Sequence, residues 1–356
     1  MRLLALFAVV LSSGCATLGA RTLPDVQSSY SESLAQTLDA QFLTNLVRLR
    51  YRDTPSFLDV ASLTTQQTLN GSLGLGLELD VPTKSLIKPN LGGSFSVTPT
   101  ITFSPLRGDE FVRRLVTPVS LGTVTMLCSS GWSISRVLHL AVDRLNDVRN
   151  APRAAGPTPN TPPEYETFAL VANALRTLQL DDHLSMSTLR RGDVGESLLL
   201  LMDDTGPDLA LAATVRTALG LTAEQKSYLF TEDFSSREVG PLRVRLRSVL
   251  SAMFYLSQAV EVPPAHEARG FVTVTKNPDG SRFDWQQVLQ GIFRVRWSQG
   301  EPDDASVKIK HRGYWFYIPD DDLESKSTFL LLMQLSNMQA GRSALPLPML
   351  TIPAGH

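Results

Sequence analysis

The chain has 356 residues, with 33 Lys and Arg, 35 Asp and Glu, and a formal net charge of −2 at pH 7. Hydrophobic residues make up 43% and charged residues 19% of it, which is typical of a folded globular protein and excludes a disordered one. A net charge this close to zero gives no electrostatic argument for nucleic acid as a partner.

The N-terminus has the pattern of a signal peptide. Arg2 is followed by the apolar run LLALFAVVL (3–11). This run is too short to span a bilayer as a mature helix, because a transmembrane helix needs about 20 residues. We therefore predict a signal peptide over residues 1–14 and a short tether over residues 15–28.

The end of the predicted signal peptide resembles the lipobox of bacterial lipoproteins. Ser13 and Gly14 precede Cys15, although Ser12 stands where that family usually has Leu. The resemblance implies that Cys15 carries acyl chains such as palmitate, and that Ala16 after it directs the protein to the outer membrane. We expect an anchored protein on the periplasmic side of that membrane in a Gram-negative bacterium. An ordinary secretory signal cleaved nearby is the alternative.

Only one other cysteine, Cys128, is present in the chain. If Cys15 carries lipid, Cys128 has no partner for an intramolecular disulfide. Its apolar neighbours in VTMLCSSGW favour a buried, unreactive thiol over a nucleophile.

The first predicted domain, residues 29–150, is mainly helical. In residues 29–53, Leu and Phe recur at steps of three and four, which predicts a helix. Residues 105–132 predict one or two further helices, and residues 133–150 predict a helix at their later end.

A Pro-rich segment separates this domain from a predicted second one. Residues 151–163, APRAAGPTPNTPP, contain five prolines and no apolar periodicity, which predicts a linker or an exposed loop. The second predicted domain, residues 164–356, mixes helices and strands. We predict helices over 164–182, 207–221, 240–260 and 320–341, and a buried strand over 196–204.

Near the C-terminus the pattern changes to strands. Residues 271–285 predict a strand–turn–strand. Residues 291–299, 305–312 and 313–319 predict an antiparallel β-meander, which the last predicted helix follows. The fold class is therefore predicted to be α+β.

A β-hairpin with one apolar face is predicted over residues 70–104. Its two alternating runs, 72–81 and 94–103, have the length of transmembrane strands, but one hairpin leaves open edges in lipid, so a membrane role requires a ring of subunits. The same alternation fits a soluble hairpin with one buried face, which Pro99 favours. The predicted apolar face consists of Leu73, Leu75, Leu77, Leu79, Phe95, Val97, Ile101 and Phe103.

A second candidate site combines cations with aromatic residues in the predicted meander. Arg294, Arg296, Lys308 and Lys310 alternate with apolar residues, so aligned strands would present them on one face. Such a face could hold an anionic glycan, a lipid head group or a peptide carboxylate. A solvated sheet surface is the alternative.

Patterns that indicate catalysis are not found. No two of the five histidines have metal-ligand spacing, and no nucleophile elbow or dinucleotide loop occurs. We therefore predict no catalytic residue, no metal and no cofactor, and we expect that the protein is not an enzyme. A periplasmic hydrolase is the least favoured of the functions considered.

Three segments of the body, 46–60, 98–111 and 311–335, are similar to a group of proteobacterial lipoproteins. This resemblance implies an envelope location and transfers no activity or site residue. We expect a structural or accessory protein whose partners are the membrane, through its lipid, and an envelope protein or further copies of itself. The alternative is a subunit of an oligomeric outer-membrane β-barrel pore or secretion channel to which residues 70–104 contribute.

Overall fold

Residues 31–50 form helix α1. The computed structural model describes residues 31–340 without 79–85, 191–195, 204–208, 223–224 and 235–240. The predicted signal peptide, the lipidation site Cys15, the tether and Leu79 lie outside the described residues. In α1 the apolar periodicity is confirmed, since Phe42, Leu46 and Leu49 are buried.

The predicted α+β class is confirmed, and helices dominate the central part of the chain. Val112–Val116 form a π-helical turn, and Pro118 lies between this turn and the helix that begins at Leu121. The helices after α1 are α2 (Gly108–Phe111), α3 (Leu121–Ser129), α4 (Ile134–Ala141), α5 (Glu166–Leu180), α6 (Leu209–Leu219), α7 (Val249–Ser257), α8 (Pro264–Ala268), α9 (Gln286–Leu289) and α10 (Leu323–Ala340).

The strands form three sheets among the described residues. The strands are β1 (Leu58–Glu78), β2 (Leu86–Pro105), β3 (Val142–Leu145), β4 (Val148–Arg149), β5 (Leu184–Arg190), β6 (Glu196–Met202), β7 (Ser227–Thr231), β8 (Leu242–Leu246), β9 (Arg296–Ser298), β10 (Ala305–His311) and β11 (Tyr314–Pro319). Strands β1 and β2 form a two-stranded sheet, β10-β11-β9 form a three-stranded sheet, and β4-β3-β8-β7-β6-β5 form a six-stranded sheet.

The chain divides into two compact units. The described part of the larger unit is residues 31–55 and 109–340, and that of the smaller unit is residues 56–108. The smaller unit consists of the antiparallel pair β1 and β2, which we call the β-ribbon. Its strands have 21 and 20 residues, so the predicted hairpin exists, and each strand is about twice as long as the alternating run predicted for it.

The prediction of a single long helix over residues 240–260 is wrong. The first residues of this segment form β8, in which Val244 is buried and Arg245 is exposed. Helix α7 begins only after Ser248, whose side-chain oxygen accepts a hydrogen bond from the Ser251 amide at 3.2 Å. This hydrogen bond satisfies one of the free amides of the first turn, which fixes where the helix starts.

The prediction for residues 133–150 has its helix at the wrong end. Helix α4 occupies the first half, and the later half is the β3–β4 hairpin. Asn146 forms the turn with φ of +47°, a conformation that Asn tolerates better than most residues. Its side chain also donates to the Leu219 carbonyl at 2.6 Å and accepts from the Arg243 amide at 2.8 Å.

The Pro-rich segment 151–163 is a packed loop of the larger unit, and the two units divide the chain at other positions. Ala151 and Ala154 are fully buried, and Thr158 is 4% exposed. The hydroxyl of Thr158 accepts a hydrogen bond from Arg50 Nη1 at 2.9 Å. This loop thus connects to α1 through a buried polar contact.

The C-terminal strands are antiparallel, as predicted, but their order is not that of a meander. The central strand is β11, which pairs with β10 on one side and with β9 on the other. A tight turn at Arg312 and Gly313, both with positive φ, connects β10 to β11. The predicted strand–turn–strand at 271–285 is reduced to one isolated bridge, between Lys276 and Arg282.

Arg247 is buried between α4 and α7. Its Nη1 donates to the His139 carbonyl at 2.7 Å and its Nη2 to the Asn150 carbonyl at 2.6 Å. Its guanidinium carbon also lies 4.1 Å from the centre of the Tyr255 ring. Because the carbonyls at a helix C-terminus attract cations, Arg247 stabilises the end of α4. Through Asn150 it also connects this end to the loop that follows β4.

Candidate functional site

The predicted apolar hairpin residues lie in the β-ribbon, but in a register that the sequence alone did not predict. The two alternating runs are not opposite each other, because Leu73 pairs with Leu91 and Phe95 pairs with Leu69. The other members of the predicted face pair as follows: Leu75 with Pro89, Leu77 with Ile87, Val97 with Gln67, Ile101 with Leu63, and Phe103 with Val60.

This register makes the β-ribbon amphipathic over most of its length. Residues that pair directly across an antiparallel sheet lie on the same face. The face described above is mostly apolar. The last pair of the other face, Glu78–Leu86, includes a leucine. Its other pairs from Ser62 onward contain only polar residues and Gly: Ser62–Thr102, Thr64–Thr100, Gln66–Thr98, Thr68–Ser96, Asn70–Ser94, Ser72–Gly92, Gly74–Asn90 and Gly76–Lys88.

The predicted cationic face is present in part on the three-stranded sheet. Lys308 pairs with Tyr317, which pairs with Arg296, and Lys310 pairs with Trp315. These five residues therefore share one side of the sheet, which we call the basic–aromatic face. The ammonium groups of Lys308 and Lys310 lie 5.9 and 5.8 Å from the centre of the Trp315 ring.

Two of the four predicted cations are already paired. Lys308 Nζ lies 2.9 Å from Glu301 Oε1, and Arg294, which precedes β9, has its Nη2 2.5 Å from Glu261 Oε1. Arg296 and Lys310 make no ion pair within the described part of the chain, and both are exposed. The face is therefore an open surface with two available cations.

The fold brings together two of the histidines that are scattered in the sequence. His266 Nδ1 lies 2.7 Å from the Tyr51 hydroxyl, and His311 Nε2 lies 3.3 Å from Asp53 Oδ2. Both imidazoles pack edge-on against the Tyr51 ring. Burial lowers the pKa of both histidines and raises the pKa of Tyr51. Among the residues that the structure describes, no group of three or more metal-ligating side chains is found.

A polar cavity of about 420 Å³ in the larger unit was not predicted from the sequence. We call it the arginine cleft. Its lining includes Arg50, Gln258, Arg282, Trp285, Arg294 and Trp297.

Arg50 is the most buried cation of the arginine cleft, with 4% of its surface exposed. Both of its hydrogen bonds come from Nη1, to the Thr158 hydroxyl at 2.9 Å and to the Thr273 carbonyl at 3.0 Å. Its Nε is buried and has no hydrogen-bond partner. Burial lowers the pKa of Arg50 to about 10, so the guanidinium remains charged at neutral pH without a carboxylate in contact.

Gln258 adds a buried acceptor to the arginine cleft. Its Nε2 donates to the Phe254 carbonyl at 3.1 Å and lies 3.5 Å from the carbonyls of Ala154 and Gly156. Because carbonyl oxygens accept hydrogen bonds, three of them around one atom of the side-chain amide identify that atom as the nitrogen and the other as the oxygen. The Gln258 oxygen therefore points elsewhere, and it has no donor.

The chain matches no protein-family model, no curated protein and no solved structure. No described helix combines the length and the apolar character that crossing a membrane requires.

Proposed function

We propose that this protein is a lipid-anchored, non-catalytic component of the outer membrane that faces the periplasm and assembles with further copies of itself through the β-ribbon. The lipobox-like sequence at Cys15 supports the anchor. The main support for the assembly is the β-ribbon. A hydrolase has less support, because the serine that lies beside a histidine, Ser135 with its Oγ 3.5 Å from His139 Nδ1, is buried together with that histidine, and Cys128 is buried as well.

A two-stranded ribbon of this length needs a partner. An isolated two-stranded hairpin is at best marginally stable in water, and each open edge presents unpaired backbone donors and acceptors. Among the described residues, no third strand pairs with β1 or β2. Further strands would satisfy these edges, and the apolar face requires cover as well.

Copies of the same ribbon are the simplest partner because its two edges differ. One edge belongs to β1 and the other to β2. If β1 of one copy pairs with β2 of the next, the contact is head-to-tail, and repeated rotation closes a ring. All apolar faces then lie on the same side of the ring, and all polar faces on the other.

The anchor is tested by metabolic labelling with an alkynyl palmitate analogue in a Gram-negative host. We expect the wild-type chain and the Cys128→Ser variant to be labelled, and the Cys15→Ser variant to be unlabelled and released from the membrane fraction. Cys128→Ser is the matched control, since it removes the only other thiol. Unlabelled wild-type protein in the cytosol would contradict the proposal.

The assembly is tested with a shortened ribbon. Replacing residues 63–101 by Asn-Gly keeps the pairs from Leu58–Pro105 to Ser62–Thr102, joins them by a favoured two-residue turn, and leaves strands too short to span a membrane. We expect the detergent-extracted wild type to form an oligomer of defined size and the shortened variant to be monomeric. Both should have the same tryptophan fluorescence, since all four Trp residues lie in the larger unit. A monomeric wild type, or an unchanged oligomer after shortening, would overturn the assembly.

A pore formed by this ring is the second candidate function. The ribbon strands exceed the 9–11 residues that a transmembrane strand needs, and one face carries hydroxyl, amide and Gly residues while the other is mostly apolar. A pore predicts ion conductance in planar lipid bilayers that is lost in the shortened variant. An oligomer without conductance would support the structural role alone.

A further inference from the structure

The three arginines that line the arginine cleft differ in whether a carboxylate is paired with them. Arg282 Nη1 lies 2.9 Å from Glu267 Oε1, and Arg294 is paired with Glu261. Arg50, the most buried of the three, has only neutral oxygens as hydrogen-bond partners. Glu267 acts on it electrostatically, but that carboxylate is already paired with Arg282. A desolvated cation without a carboxylate in contact is unfavourable unless an anion can reach it.

We propose that the arginine cleft binds a small organic carboxylate, with Arg50 as the residue that recognises the anion. The guanidinium group suits this ligand because its donors match the two oxygens of a carboxylate. Nη1 is engaged with Thr158 and Thr273, so Nη2 and Nε are the donors that remain for the ligand.

Two further features narrow the ligand class. The unpartnered oxygen of Gln258 requires a donor, so the carboxylate should carry a hydroxyl or an amide N–H nearby. The Trp285 and Trp297 side chains form apolar walls, and the cavity of about 420 Å³ has room for a ring next to the polar groups. A hydroxy acid with an apolar side chain and the C-terminus of a short peptide both have this chemistry.

The two sources are separated by matched acid and amide probes. Binding of 3-phenyllactate and of the dipeptide Ala-Phe to the full-length, detergent-solubilised chain is measured by tryptophan fluorescence and calorimetry. The controls are 3-phenyllactamide and Ala-Phe-amide, which keep the shape and remove the negative charge. We expect at least one acid to bind with a dissociation constant of about 1 mM or tighter and its amide to bind at least tenfold more weakly. The tighter acid identifies the source.

Three variants locate the binding. Arg50→Gln should weaken the acid at least tenfold and leave the amide unchanged, because only the charged contact is lost. Trp297→Ala removes a half-buried wall and should weaken acid and amide alike; this variant keeps the test valid if Arg50→Gln fails to fold. Lys310→Gln, on the basic–aromatic face, should leave both affinities unchanged.

The proposal is overturned if neither acid binds at about ten times the expected dissociation constant, or if acid and amide bind equally. It is also overturned if Lys310→Gln abolishes binding while Trp297→Ala has no effect. The shortened ribbon variant should bind the acid as the wild type does, since it retains the complete lining of the cleft. Failure of the ribbon assembly and failure of the carboxylate site are therefore distinguishable.

Discussion

Replacing His139 by Leu should make the larger unit less sensitive to acid. His139 is 1% exposed, its Nδ1 lies 2.8 Å from the Ser135 carbonyl, and its Nε2 has no partner. Burial lowers its pKa from 6.5 to about 4, and the nearby Arg247 acts in the same direction. Because the unfolded chain binds this proton more readily, the stabilising contribution of neutral His139 is complete above pH 6.5 and is lost as the pH falls towards 4.

These pKa values set the expected size of the effect. Between pH 7.5 and pH 5.0, protonation of His139 in the unfolded state reduces the free energy of unfolding by about 2 kcal/mol. Urea unfolding, followed by tryptophan fluorescence at both pH values, should therefore show a drop that is about 2 kcal/mol smaller in His139→Leu than in the wild type. Other groups also titrate in this range, but they contribute equally to both proteins.

A matched core substitution controls for a general loss of packing. Leu138→Ala, in the same helix, should lower the free energy of unfolding by about 2–4 kcal/mol at both pH values and keep the wild-type pH dependence. If His139→Leu and the wild type lose the same free energy between the two pH values, then His139 is not held neutral by its surroundings, and the reasoning from burial is refuted.

Three further predictions concern local features of the larger unit. Ser248→Ala removes the acceptor for the Ser251 amide and should lower the free energy of unfolding by about 1 kcal/mol, whereas Ser248→Asp keeps the cap; equal losses would contradict this role. Gly280→Ala should cost about 1 kcal/mol because φ is +85° there, while Gly300→Ala, with open space and no positive φ, should be neutral; thermal unfolding compares the two. Burial raises the pKa of the Cys128 thiol to about 12, so iodoacetamide at pH 8 should label this residue only after unfolding, and stoichiometric labelling of the native protein would refute this expectation.

The long periodic elements could be predicted from sequence, and the errors arose where two periods coincide. In α1 the apolar pattern extends over many turns, so only a helix fits it. Leu242, Leu246 and Leu250 are four residues apart, which fits both a helix face and alternate positions of a strand. Tertiary pairing decides between them, because β8 is held between β7 and β3.

The candidate sites also differ in how far they could be predicted from the sequence. The basic–aromatic face was predictable in part because its residues lie on neighbouring strands whose alternation is visible in the sequence. The arginine cleft was not, since Arg50 comes from α1 while the rest of its lining lies more than 200 residues later. The hydrogen bonds of Arg50 to Thr158 and Thr273 join residues more than 100 positions apart, which no local sequence pattern reveals.

The register of the β-ribbon allows its length to change. Next to the first pair of the ribbon, the Leu106 amide donates a hydrogen bond to the Phe57 carbonyl at 2.9 Å. Insertions or deletions closer to the turn need not disturb this contact. Each cross-strand pair contributes about 3.4 Å, and removing an even number of residues from each strand preserves which side chains face up or down. Evolution or engineering could thus lengthen or shorten the β-ribbon in steps of about 7 Å without changing the larger unit.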